Sequence, residues 1–215
     1  MKIQAEALLF DNDGTLISSM ESVHRCWRRW AEEYGIAADV FERVELHGRP
    51  AVEIIAELLP AERIPGALKR IEQLEVEDVA GGVVLLPGAK ELLAALPRDR
   101  WAVVTSATRP LAEARLHEVG VDFPAMVAAD DITRGKPDPE PFLLAAAKLG
   151  VDPARCVVFE DAPAGLRSGR AAGMTTVALT TTHTAAELSA DAVVADLTAV
   201  SAQAIDGGVE IVTAD

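Results

Sequence analysis

Short apolar runs separated by stretches of helical spacing fill most of this chain, and that alternation restricts its fold more than any other feature. Trp101 to Thr105, Cys156 to Phe159 and Thr175 to Leu179 are too short for helices and end in polar or turn residues, which predicts buried strands. Ala7-Leu8-Leu9-Phe10, closed by Asp11-Asn12-Asp13-Gly14, reads the same way, and Ala192 to Val194 predicts one more strand. Ala89 to Leu96, Pro110 to Val119, Phe142 to Leu149 and Ala164 to Ala172 carry apolar residues at helical steps. Strands buried on both faces and joined through helices require crossovers, so the pattern implies a parallel sheet covered on both sides.

One stretch departs from the alternation. From about Ser18 to Ala80 the spacing is helical throughout, with segments over Glu21 to Tyr34, Pro50 to Leu59 and Leu68 to Val79, until Gly81-Gly82 breaks it. The fold class is therefore α/β. A Rossmann-like parallel-sheet core, residues 1–17 and 82–215, is interrupted after its first strand by an α-helical insertion, residues 18–81. Val23, Trp27, Trp30 and Tyr34 share one helix face, which marks the tryptophans as core. Near the end of the chain, Val209 to Val212 predicts an edge strand.

Charge narrows the partners. The 215 residues hold 20 Lys and Arg against 34 Asp and Glu, a formal net charge of −14, which disfavours nucleic acid. Half of the residues are hydrophobic, so the chain is no disordered acidic tail. No run reaches the ~18 apolar residues of a membrane span, and Met1-Lys2 leads straight into polar Gln4 and Glu6 without the look of a signal peptide. Cys26 and Cys156 are the two cysteines, in no metal-binding spacing, and read as reduced thiols. A cytoplasmic monomer acting on a small molecule, with no nucleic-acid or membrane partner, is the expectation.

In a parallel sheet the loops at the carboxyl ends of the strands meet at one crevice. Those loops here offer Asp11 and Asp13, then Thr105 and Ser106, then Lys136 between Gly135 and Pro137, then Glu160 and Asp161. Carboxylates from two strand ends, hydroxyls and one lysine suit a hard divalent cation and a phosphoryl group. Backbone N–H groups of the Asn12-Asp13-Gly14 turn offer an anion-holding nest. A calcium loop of the EF-hand kind does not fit, because Leu16 and Ser22 stand where it needs Gly and Glu.

At these residues the chain resembles the haloacid dehalogenase (HAD) superfamily of phosphohydrolases, over nearly its whole length. The carrying motifs are Asp11-Asn12-Asp13-Gly14-Thr15-Leu16, Val103-Val104-Thr105-Ser106-Ala107, Gly135-Lys136-Pro137-Asp138-Pro139 and Phe159-Glu160-Asp161-Ala162-Pro163-Ala164-Gly165. The resemblance implies that Asp11 attacks phosphorus and forms an aspartyl-phosphate. It implies that Asp13 protonates the leaving alkoxide and then deprotonates water. Mg²⁺ would be held by Asp11, the Asp13 carbonyl and Asp161, with Glu160 assisting through water. Asn12, Ser106, Ala107 and Lys136 would bind the phosphoryl oxygens.

The helical insertion is similar to the small cap of that superfamily. Leu46-His47-Gly48-Arg49 and Trp101 to Arg109 resemble the sugar- and polyol-phosphate phosphatases, the glycerol phosphatase and 2-deoxyglucose-6-phosphatase group. This implies substrate selection by His24, His47, Gly48 and Arg49. The family often has Asp-Ser shortly after Thr-Leu, whereas this chain has Ser18-Ser19, where a hydroxyl can still cap the next helix. The leading expectation is a Mg²⁺-dependent phosphatase acting on a small sugar or polyol phosphate monoester. A phosphosugar mutase of the β-phosphoglucomutase kind shares the motifs, phosphoglycolate is a further substrate to weigh, and a non-enzymatic phospho-acceptor module uses similar groups in another order. The acidity does not oppose this reading, because a small phosphate meets the crevice alone, where a cation and Lys136 reverse the local sign.

Overall fold

Ala7–Phe10 carries four apolar side chains in succession, as a strand covered on both faces does, and all four are buried. A computed structural model of the chain describes residues 1–44, 46 and 51–214. Its first elements are strands β1 (Lys2–Ala5), β2 (Ala7–Phe10) and β3 (Ile17–Ser18), followed by helices α1 (Met20–Tyr34), α2 (Ala38–Phe41), α3 (Ala51–Leu58) and α4 (Ile64–Glu77). Then come β4 (Val84–Leu85), α5 (Ala89–Ala94), β5 (Trp101–Val104), α6 (Arg109–Glu118), β6 (Met126–Val127) and α7 (Glu140–Leu149). The chain continues through β7 (Cys156–Glu160), α8 (Pro163–Ala171), β8 (Thr175–Leu179), β9 (Ala192–Val194), β10 (Val200–Ile205) and β11 (Gly208–Thr213).

Six strands form the expected parallel sheet, in the order β6-β5-β2-β7-β8-β9. The central strands β2 and β7 are in register with Phe10 beside Phe159, whose rings stack at 4.9 Å. Each phenylalanine is fully buried, a gain of roughly 1.5–3 kcal/mol apiece. On one side of the sheet, Phe142, Ala145 and Ala146 of α7 pack on Leu9, Ala102, Val104 and Val158. The short edge strand β6 escaped the sequence reading, since two residues carry no period.

The chain divides into two compact units, Met1–Ser18 with Val84–Asp215, and Ser19–Val83. The second is helical around its own core. Trp27, Trp30, Ile54, Ile55, Ile71 and Leu74 are buried together, and the Trp30 indole N–H donates to the Ala67 carbonyl at 3.0 Å. Ser19 stands at the N-cap of α1, but its side chain makes no capping bond there. Both cysteines are buried, and burial pushes their thiols up, Cys26 to about 11 and Cys156 to about 12.

The tail does more than extend an edge. β11 pairs antiparallel with β10 through the turn at Gly207 and with β1 on its other side, building a separate three-stranded sheet in which Lys2 faces Val212. The insertion is bracketed by β3 and β4, which pair antiparallel, Ile17 with Leu85 and Ser18 with Val84. No helix among the described residues is long and apolar enough to cross a membrane.

Candidate active site

The register of β2 on β7 fixes the centre of the site. Because Phe10 lies beside Phe159, the next residues, Asp11 and Glu160, fall side by side at the strand ends, and Asp11 N–H donates to the Phe159 carbonyl at 3.0 Å. Lys136, from the loop before α7, reaches between them. Its Nζ lies 2.6 Å from Asp11 Oδ1, 2.8 Å from Glu160 Oε1 and 2.9 Å from the Val104 carbonyl, and 5.2 Å from the centre of the Phe142 ring. All three charged side chains are nearly closed off from solvent.

Asp161 completes the group. Thr182 Oγ1 donates to its Oδ2, Thr15 Oγ1 donates to its Oδ1 at 3.2 Å, and oxygens of Asp11, Glu160 and Asp161 all lie within 4.8 Å of one another. Two glycines make room. Gly14 adopts φ +95°, which an L side chain rarely takes, and a Cβ there would sit 2.2 Å from Asp161 Oδ2. A Cβ on Gly165 would sit 1.7 Å from Glu160 Oε1.

Three buried carboxylates face one ammonium, an excess of negative charge that a low-dielectric site tolerates poorly. Burial pushes the Asp11 carboxyl well above the usual carboxylate range. Lys136 opposes the shift, while Glu160 and Asp161 add to it. Burial, then Glu160, raise Asp161 to about 6. Burial alone would lower Lys136, but the Asp11 and Glu160 charges outweigh it and hold the lysine protonated. A hard divalent cation beside these oxygens would correct the imbalance, so the donor set fits Mg²⁺.

Asp13 lies next to this cluster, half-buried. Arg115 Nη1 on α6 donates to its Oδ1 at 2.9 Å, and Asn12 Nδ2 donates to its Oδ2 at 3.2 Å. The expected anion nest loses one donor, since Gly14 N–H bonds the Ile17 carbonyl at 2.7 Å. Ala107 N–H, a proposed phosphate donor, bonds Thr105 Oγ1 at 3.1 Å, while Ser106 is exposed at the mouth of β5. His24 is exposed on α1, and His47, Gly48 and Arg49 lie outside the described residues.

Three groups at the site were missed from sequence. Arg115 gave no signal, being one charge on a helix of ordinary pattern. Thr182 and His183, whose Nδ1 lies 3.0 Å from the Asp161 carbonyl, did have one. They follow β8, and the carboxyl end of every parallel strand points at the same crevice.

With this geometry in place, comparison with known proteins is informative. Residues 5–173 match the haloacid dehalogenase-like hydrolase family. The chain belongs to that family. This hydrolase is 38% identical over 183 residues to hexitol phosphatase A of Escherichia coli, which covers 82% of this chain and 84% of the relative. It is 34% identical over 195 residues to glycerol-1-phosphate phosphohydrolase 2 of Saccharomyces cerevisiae, covering 85% of this chain and 77% of that protein. Among solved structures, CbbY from Rhodobacter sphaeroides in complex with phosphate superposes with a TM-score of 0.76 at 28% identity, over 90% of this hydrolase and 95% of that chain. The resemblance to sugar- and polyol-phosphate phosphatases expected from the motifs is thus met among its relatives.

Proposed function

We propose that this hydrolase cleaves a small sugar or polyol phosphate monoester through an aspartyl-phosphate on Asp11. One observation carries the reading: Asp11, Glu160 and Asp161 converge within 4.8 Å beside Lys136, at the strand ends of a HAD-like sheet. Names of the relatives, a hexitol phosphatase and a glycerol-1-phosphate phosphohydrolase, point to the substrate class.

Asp11 attacks phosphorus in line with the ester oxygen, and the P–O bond to the sugar or polyol breaks as the bond to Asp11 forms. Asp13 gives its proton to the departing alkoxide. Water then attacks the phosphorus of the acylphosphate, Asp13 takes the proton, and phosphate leaves with Asp11 restored. Lys136, held between Asp11 and Glu160, sets a fixed positive charge against the transferring oxygens. Ser106 and the backbone of Asn12 are assigned to those same oxygens, as is the Ala107 N–H, which would exchange its bond to Thr105 Oγ1 for one to phosphate. Asp11, the Asp13 carbonyl and Asp161, with Glu160 assisting, would hold Mg²⁺, which would supply charge that offsets repulsion between the carboxylate and phosphate. The inserted helices are proposed as a cap, with His24, His47, Gly48 and Arg49 selecting the ester.

The test is phosphate release from a panel of hexitol, glycerol, hexose and glycolyl phosphates with Mg²⁺, for the native protein and Asp11→Asn. Release from the polyol or sugar esters, abolished in D11N, is the expected result. Substantial turnover by D11N would overturn the nucleophile assignment. An isomerised sugar phosphate in place of free phosphate would make the protein a mutase.

A further inference from the structure

Asp13 is held at both carboxylate oxygens. Arg115 donates to Oδ1 and Asn12 to Oδ2, so the carboxylate plane is fixed by two points that come from different parts of the fold. Arg115 projects from the inner side of α6, where its neighbours Leu111, Ala112 and Leu116 are buried packing residues. Its side chain is 6% exposed, against 30% for that of Asp13. A guanidinium in such a place carries a desolvation cost that an apolar residue would avoid, and it needs a compensating partner. Asn12 repeats the pattern. It is fully buried, and among the described residues its Oδ1 has no hydrogen-bond partner while its Nδ2 holds Asp13. Both side chains sit where packing alone would not place them, and both are turned to the same carboxylate.

We propose that Arg115 is a positioning residue that acts through Asp13, fixing the rotamer in which that carboxyl meets the ester oxygen. The inference rests on the assignment of Asp13 as the general acid and base. As the P–O bond breaks, the Asp13 proton passes to the leaving oxygen and the carboxylate that remains is received by donors already in place. As water attacks, its proton returns to Asp13 and the Asp11–phosphorus bond breaks. Arg115 transfers no proton, because a guanidinium stays protonated. It supplies a planar fork anchored in a helix, which keeps a short side chain from sampling unproductive rotamers.

The leaving group provides the discriminating test. An alkoxide needs a proton to depart, whereas p-nitrophenolate leaves without one, so an effect carried by Asp13 falls on the first ester and spares the second. First-turnover release is measured for glycerol phosphate and p-nitrophenyl phosphate in Arg115→Met, Arg115→Lys, Asp13→Asn and the double variant R115M/D13N. For R115M we expect about a 100-fold loss on glycerol phosphate, with KM little changed and nitrophenolate release retained, which also reports an intact fold. R115K should show the same selective loss to a smaller degree, and it carries the test if R115M does not fold. The double variant should be no slower than D13N alone. Equal losses on both esters in the Arg115 variants, no loss on either, or a further slowing of D13N would overturn the inference while leaving Asp13 in its role. Equal losses on both esters in D13N would remove the assignment of Asp13 itself, and the inference with it.

Discussion

Replacing Gly165 by Ala sets two effects of opposite sign against each other. Gly165 lies in the first turn of α8, and a helical Gly→Ala change ordinarily stabilises by up to ~1 kcal/mol. Here the new methyl would stand 1.7 Å from Glu160 Oε1 and 1.9 Å from its Cδ. Glu160 cannot swing aside without loss. Its Oε1 holds Lys136 at 2.8 Å, its Oε2 accepts Ala162 N–H at 2.9 Å, and the residue is buried. Overpacking costs ~1–3 kcal/mol, and loss of one charge-assisted bond a further ~1.5–3 kcal/mol. The overlap wins, with a net loss of ~1.5–5 kcal/mol after the helical gain is deducted. For a chain of this size that lowers Tm by roughly 3–20 °C. Thermal unfolding of G165A beside Gly66→Ala makes the comparison, since a methyl at Gly66 of α4 meets nothing within 4 Å and should stabilise by up to ~1 kcal/mol. Phosphate release should fall in G165A alone, because displacement of Glu160 also displaces Lys136. A G165A protein as stable and active as the native one would refute the reasoning.

Two further outcomes follow from the buried charges. Asp161, raised from 3.8 to about 6, binds more protons folded than unfolded between those values, so the metal-free fold loses stability as pH rises through that window, by about 3 kcal/mol in all. Mg²⁺ needs the ionised form, so the rise in Tm on adding Mg²⁺ should be large at pH 7.5 and small at pH 5; a pH-independent rise, or phosphate release that survives EDTA, would count against the metal assignment. Lys136→Met leaves Asp11 and Glu160 without their cation, which should abolish turnover and destabilise by ~3–5 kcal/mol; denaturant titration with and without Mg²⁺ checks it, and unchanged stability would show that the pair contributes little.

Sequence pattern revealed what is periodic or local. The strands of the parallel sheet other than β6 came from apolar runs, and Thr175–Leu179 and Ala192–Val194 match their expected bounds. Asp11, Lys136, Glu160 and Asp161 were found because each ends a strand or sits in a loop between recognisable elements. Arg115 was invisible for the opposite reason. It lies mid-helix, and only the packing of α6 turns it toward a residue more than a hundred positions earlier. Pairing of β1 with β11 was equally hidden, since Lys2–Ala5 is only four residues long and its partner lies at the far end of the sequence. The capping that Ser18-Ser19 allowed is not used by Ser19, because capping depends on local torsions that residue identity does not determine.

The β3–β4 ribbon has an evolutionary consequence. Ser18 and Val84 are directly paired neighbours, so the chain leaves and re-enters the sheet-bearing unit at one point. A tight turn of a few residues could join them as an ordinary hairpin without moving any strand of the sheet. Residues Ser19–Val83 therefore form a cassette behind a fixed seam. Such a seam lets the cassette be exchanged, lengthened or shortened at two adjacent junctions, Ser18 and Val84, that lie apart from the carboxylates and the lysine carrying the chemistry.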